Sequence, residues 1–166
     1  MANPLAHEIE LYPFESFKTL LNHEVNRAKR YKDPVTLLHL VVETDSSEPN
    51  AKHAAELFTI NTLNVHLRDT DIPCRQGNEF LVLMPATAAQ GGRVVCERLG
   101  KLFHTEAQIY DKVSFKLFVF IGMTTLSGED ASLTSHKLLE EALTAMQIAR
   151  AQRMKEPVIY SEIANM

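Results

Sequence analysis

The residues with the sharpest chemical potential lie between Arg68 and Phe80, in the run Arg-Asp-Thr-Asp-Ile-Pro-Cys-Arg-Gln-Gly-Asn-Glu-Phe. Arg68-x-x-Asp71 is the first feature. Arginine offers a planar fork of donors that suits phosphate oxygens or the O6/N7 edge of guanine. Aspartate can accept from a purine's donors, or it can pair with the arginine in a surface contact worth ~0–1 kcal/mol. The second feature is Gln76-Gly77-Asn78, a tight turn before Glu79-Phe80, since glycine and asparagine tolerate positive φ. Other candidates read more plainly. His53 and Glu56 stand three apart with His66 on the same expected helix, and no H-E-x-x-H arrangement occurs. His39, inside an apolar run, reads as a hydrogen-bonded core residue. Cys74 and Cys96 lack C-x-x-C spacing and read as buried reduced thiols. Gly91-Gly92 has no following Lys-Ser/Thr and reads as a packing feature. Phe115, Phe118 and Phe120 beside Lys116 read as core packing rather than a nucleic-acid platform.

These residues need elements to place them. The 166 residues suit one domain, and 45% apolar with 23% charged residues is ordinary globular composition. A net charge of −4 argues against a duplex-binding domain. The start of the chain shows no secretory signal, and no apolar run approaches a membrane span. A cytoplasmic protein without direct membrane insertion is expected. Phe14, Phe17, Leu20, Leu21, Val25, Ala28 and Tyr31 mark a helix that Asp33-Pro34 stops. Val35 to Val42 reads as a buried central strand, and Thr44 to Asn50 as a loop. Leu57, Ile60, Leu63 and Leu67 mark a second helix. Asp71–Arg75 and Phe80–Met84 form a hairpin closed by Pro85. Thr87-Ala88-Ala89-Gln90 fits a capping box for a third helix through Val95, Leu99 and Leu102. Val113 to Ile121 reads as one long strand, Leu138 to Ala149 as a fourth helix, and Pro157 to Tyr160 as a short edge strand. The order predicts an α/β (α+β) fold, ferredoxin-like, with a mixed central sheet flanked by helices. The division is an N-terminal segment, 1–13, and a single domain, 14–166.

The hairpin and its surroundings resemble the GGDEF domains, the diguanylate cyclases, whose palm-like fold this order matches. Gly77, Glu79, Phe80 and the following Leu-Val-Leu-Met-Pro agree with the signature hairpin. Phe17-x-x-Leu20-x-x-x-Glu24-x-x-Arg27-Ala28 resembles the first helix, Phe120-Ile121-Gly122 the family's S-x-G strand, and Leu139 to Arg150 the last helix. The resemblance runs from about Phe14 to Tyr160.

The departures bear on activity. A cyclase of this family joins two GTP molecules using divalent metal held by carboxylates. The resemblance puts Val41 where the family has an essential aspartate, and Asn78 at the third signature letter. Thr44 to Pro49 replaces a segment that contacts guanine and phosphate. The hairpin is one residue shorter, and Gln76 stands near a signature glycine. Glu43, two residues past Val41, could hold a cation together with Glu79, although a strand-end glutamate and a hairpin charge are the plainer reading. Arg150 replaces a lysine near the triphosphate, or else complements the helix dipole. The degenerate signature hairpin is therefore Gln76, Gly77, Asn78, Glu79 and Phe80, with no catalytic residue, no metal ligand set and no cofactor expected. In the family R-x-x-D forms the inhibitory site for the product, cyclic di-GMP. The resemblance implies that Arg68 and Asp71 bind it here, assisted by Arg98 or, less aptly placed, Arg93.

The expectation is a catalytically inactive regulatory domain: a cyclic di-GMP receptor or adaptor, with a homodimer or a signalling protein as partner and no nucleic acid. A nucleotide-independent interaction module and a cyclase with an unusual metal site are the alternatives. Whether the degenerate pocket still binds GTP stays open.

Overall fold

The computed structural model describes residues 11–104, 108–110 and 112–165. Most of the expected N-terminal segment thus lies outside the described residues. Helix α1 (Phe14–Tyr31) buries Phe17, Leu21, Val25 and Ala28, the stripe expected from the spacing. It ends at Lys32, whose left-handed φ of 59° turns the chain before Pro34. Strand β1 (Pro34–Thr44) follows, then α2 (Pro49–His66), whose first residue is the proline that helix starts accept. Strands β2 (Ile72–Gln76) and β3 (Glu79–Met84) form the hairpin, followed by α3 (Ala89–Phe103). Then come β4 (Gln108–Tyr110), β5 (Val113–Phe115), β6 (Leu117–Ser127), α4 (Ser135–Ala151), β7 (Val158–Ile159) and a 3₁₀ turn at Tyr160–Asn165.

The main sheet runs β2-β3-β1-β6-β7, with β1 central and antiparallel to both neighbours and β7 parallel to β6. Alternation divides β1 between two cores. Leu38, Leu40 and Val42 pack with α2 and α3, while Val35, Leu37 and Val41 meet α1 and α4. The sheet is covered on both faces, by α2 and α3 on one and α1 and α4 on the other, in keeping with a mixed sheet flanked by helices. Tyr12 adds an isolated parallel bridge to Cys74 on the outer strand, accepting from Arg75 N at 3.1 Å.

Two expectations change. The strand expected from Val113 to Ile121 is broken at Lys116. Its backbone turns to Asp45, accepting from Asp45 N at 3.4 Å and donating to the Asp45 carboxylate at 3.3 Å. Beyond the break β6 runs on to Ser127. Before it, β5 leaves the sheet and pairs with β4, an element the sequence reading missed. Phe115 thereby reaches Phe58 of α2 in an edge-to-face contact at 5.9 Å. The capping box at Thr87 does not form either. The residue that caps α3 is Ala88, with no side-chain bond, because the Thr87 hydroxyl donates to Pro85 O and accepts from Arg68.

Both cysteines are buried, and burial pushes the Cys74 thiol up to about 11 and the Cys96 thiol up to about 12, so both are unreactive neutral groups at pH 7. No described helix is long and apolar enough to cross a membrane.

Gly122 is where α4 crosses β6. A Cβ there would stand 2.1 Å from Met146 N and 2.5 Å from Ala142 O, both backbone atoms. Gly122→Ala must push the helix off the sheet. It is expected to lower stability by about 3 kcal/mol or more, as overpacking of a rigid core does, read as a fall in the urea midpoint.

Candidate functional site

A cleft of about 490 Å³ opens where β1 ends, against α2, the hairpin tip and the end of α4. Val42, Glu43 and Thr44 form one wall, with Lys52 and Glu56 of α2, Asn78 and Arg150 around them. Positive φ (64°) at Gly77 lets the two-residue turn close between the paired Gln76 and Glu79. Asn78 keeps an ordinary φ. Its side-chain Nδ2 donates to Val42 O at 3.1 Å, and its own carbonyl accepts from Val42 N at 3.0 Å. The amide therefore fastens the hairpin tip to β1. A carboxylate at this position could not donate that bond.

The carboxylates of the cleft are held by arginines. Glu43 accepts from Arg150 Nε at 2.7 Å and from Arg153 Nη1 at 2.9 Å. Burial works to raise its pKa, but the bonds and charges of Arg153 and Arg150 outweigh that and hold the carboxyl below the usual glutamate range. Glu56 pairs with Arg75 of β2. Glu79 does not join Glu43; it bonds the His39 ring at 2.8 Å. Burial lowers the His39 pKa more than Glu79 restores it, in keeping with a hydrogen-bonded histidine near the core. Val41 is 1% exposed and packs on Ala145, Met146 and Ala149. Among the described residues no three His, Cys, Asp or Glu side chains converge as a metal site. Val41 is thus apolar core, Asn78 is a neutral amide spent on a backbone carbonyl, and Glu43 and Glu56 are each paired with arginine, a donor set that does not fit a hard divalent cation.

Arg68 and Asp71, the other pair singled out in the sequence, come together at the end of α2. Asp71 N closes a turn on Arg68 O at 3.0 Å, which folds the two side chains together. Arg68 Nη2 donates to Asp71 Oδ1 at 3.1 Å, and Arg68 Nε and backbone N donate to Oδ2 at 3.4 and 3.0 Å. The same Nη2 reaches Thr87 Oγ1 at 2.5 Å. The Asp71 side chain is 0% exposed and that of Arg68 53%. Asp71 is thus a positioning residue that aims the guanidinium, and Arg68 is the group facing outward. Arg98 Nη2 donates to His66 O at 2.7 Å, which places it at the same helix end. Arg93 is directed elsewhere, to an ion pair with Glu162. Thr87 is a partner of Arg68 that sequence reasoning missed. It was assigned to a helix cap, and only the approach of the β3–α3 loop to the end of α2 shows its role. Gln76 lies exposed at the hairpin end, and Phe80 is core.

No protein-family model matches the sequence, and no protein of curated function matches it significantly. Solved structures do match in shape. The GGDEF domain of Pseudomonas aeruginosa TpbB (YfiN) superposes with a TM-score of 0.80 at 18% identity, covering 100% of both chains. The GGDEF domain of Caulobacter crescentus DgcB, solved in complex with c-di-GMP, gives 0.76 at 12% identity, covering 91% of this chain and 92% of that one. The active GGEEF domain of a Vibrio cholerae diguanylate cyclase gives 0.74 at 14% identity, covering 88% and 95%. The chain has the fold of a GGDEF domain.

The Glu43 clasp has a definite pH signature. A carboxyl with a depressed folded pKa stabilises the fold fully above its unfolded value, about 4.3, and loses that contribution as pH falls through the folded value. Glu43→Gln is expected to cost about 1 kcal/mol or less at pH 7, because both arginines are half exposed. The difference from the wild type should shrink as pH falls below about 4.3, compared as urea midpoints at pH 7 and at acid pH.

Proposed function

We propose that this protein is a regulatory GGDEF-fold domain that does not cyclise GTP and binds cyclic di-GMP through Arg68. The observation that carries the first half is the state of the cleft. Glu43 is clasped by Arg150 and Arg153, and Asn78 is bonded to the backbone of Val42. Activating a 3′-hydroxyl against a triphosphate requires metal-held carboxylates, and those present here already neutralise arginines. Restoring one at Val41 would place it in an apolar cluster, where an ionised carboxylate is costly.

The second half rests on Arg68. Its guanidinium is oriented by a buried carboxylate and a hydroxyl and remains half exposed. Such an arm is already ordered, so less rotamer entropy is lost when it takes a phosphate or a guanine edge. Arg98 stands at the same helix end as a second cation. The DgcB complex with c-di-GMP supports this ligand for a domain of this shape. A ligand with two-fold symmetry could also join two copies through equivalent surfaces, making the homodimer a ligand-dependent state. A signalling protein is the partner such a domain would report to.

Calorimetry with cyclic di-GMP, with GTP and magnesium in a parallel cell, tests both halves. Micromolar binding of cyclic di-GMP is expected, with at least a tenfold loss in Arg68→Ala. Arg68→Lys should lose nearly as much, because an ammonium keeps the charge but not the fork. Equal binding by folded Arg68→Ala would overturn the site. No heat with cyclic di-GMP would favour an interaction module that binds no nucleotide. Formation of cyclic product from GTP would overturn the non-catalytic reading.

A further inference from the structure

A second cavity, of about 330 Å³, is walled by His104, Lys116, Phe118, Phe120, Arg153 and Lys155. Four segments bring these side chains together. His104 follows the end of α3, Lys116 sits at the break between β5 and β6, the two phenylalanines lie on β6, and Arg153 and Lys155 follow α4. Arg153 has a left-handed φ of 52°, which turns the chain just past the helix end. Its guanidinium lies 4.6 Å from the Phe120 ring centre and 5.3 Å from that of Phe118, while Nη1 holds Glu43. Arg153 therefore ties this cavity to Glu43 in the cleft wall. Lys116 Nζ stands 5.4 Å from the Phe118 ring. Among the described residues neither Lys116 nor Lys155 has a carboxylate partner.

His104 adds a group whose charge can change. Its Nε2 is buried with no partner among the described residues. Burial and then the Lys155 charge lower its pKa, against weaker opposing effects from Glu156 and the Val119 backbone. At neutral pH the cavity thus carries the charge of Lys116, Arg153 and Lys155 beside a neutral imidazole, opposed by Glu43 on Arg153 and Glu156 near the ring. Its volume is about ten times the ~30 Å³ of one water, more than a bare phosphate fills. The phenylalanine faces are already covered by cations, so a stacked base is disfavoured and a compact polar body is favoured.

We propose that this cavity binds a phosphomonoester, a phosphate dianion carrying a small organic group, held by Lys116, Lys155 and Arg153 with His104 taking up a proton on binding. Because Arg153 is shared, the ligand would compete with Glu43 for it.

NMR titration of the His104 ring in the full chain tests this, with ribose 5-phosphate and inorganic phosphate as probes. Ribose 5-phosphate at millimolar concentration is expected to move the His104 midpoint upward, and to bind at least tenfold tighter than inorganic phosphate. The Lys116→Ala/Lys155→Ala double variant, altered only at exposed side chains, should fold normally and lose the response. Glu43→Gln should strengthen binding several-fold by freeing Arg153. An unmoved His104 midpoint, an equal response in the double variant, or equal affinity for the two probes would each overturn the proposal.

Discussion

Burial of β1 on both faces is the constraint on which the rest of this structure depends. The strand hydrogen-bonds to β3 on one side and β6 on the other, while α2 and α3 cover one face and α1 and α4 the other. A strand so enclosed tolerates polar groups only where they find partners. Thr36 meets this condition by donating to Thr87 O at 2.7 Å and lying 2.7 Å from Thr125 Oγ1. His39 does so through Glu79. Val41 needs no partner. Only past Val42 does the strand emerge, and there Glu43 and Thr44 open the cleft.

That emergence explains why the cleft is electrostatically closed upon itself. Glu43 leaves the core at the level where α4 ends, and Arg150 and Arg153 converge on it from that end. The helix terminus already favours cations, and the arginines gathered there hold a carboxylate of the chain. At the other end of α2 the charge is reversed in role. Asp71 is the buried anion, and the arginine it holds points outward. One carboxylate neutralises its arginines, whereas the other presents one.

The hairpin joins these two sites. β2 begins just after Asp71, and the turn at its far end carries Asn78 into the cleft wall. The span is short and paired along its length with β3, so the helix end and the cleft are fixed relative to one another. Thr87 extends the connection on the other side, linking Arg68 to the β3–α3 loop and, through its carbonyl, to β1.

Much of this was legible in the sequence, because the signals were local. The α1 stripe, the apolar β1 run, the Gly77-Asn78 turn and the Arg68–Asp71 spacing depend on residues close in the chain, and periodicity and turn chemistry report on these directly. The break at Lys116 was not legible, because Val113 to Ile121 reads as a strand on either side of it; Asp45, seventy-one positions away, turns the backbone. The role of Thr87 was misread for the same reason, since a competing donor from Arg68 outweighed the local cap. The sequence by itself determined which residues could do chemistry and which faces were apolar. Only the tertiary structure decided which charges neutralise one another, because Glu43 meets Arg150 and Arg153 across 107 and 110 positions, and pairing at that separation is set by how helices pack on a sheet, not by spacing along the chain.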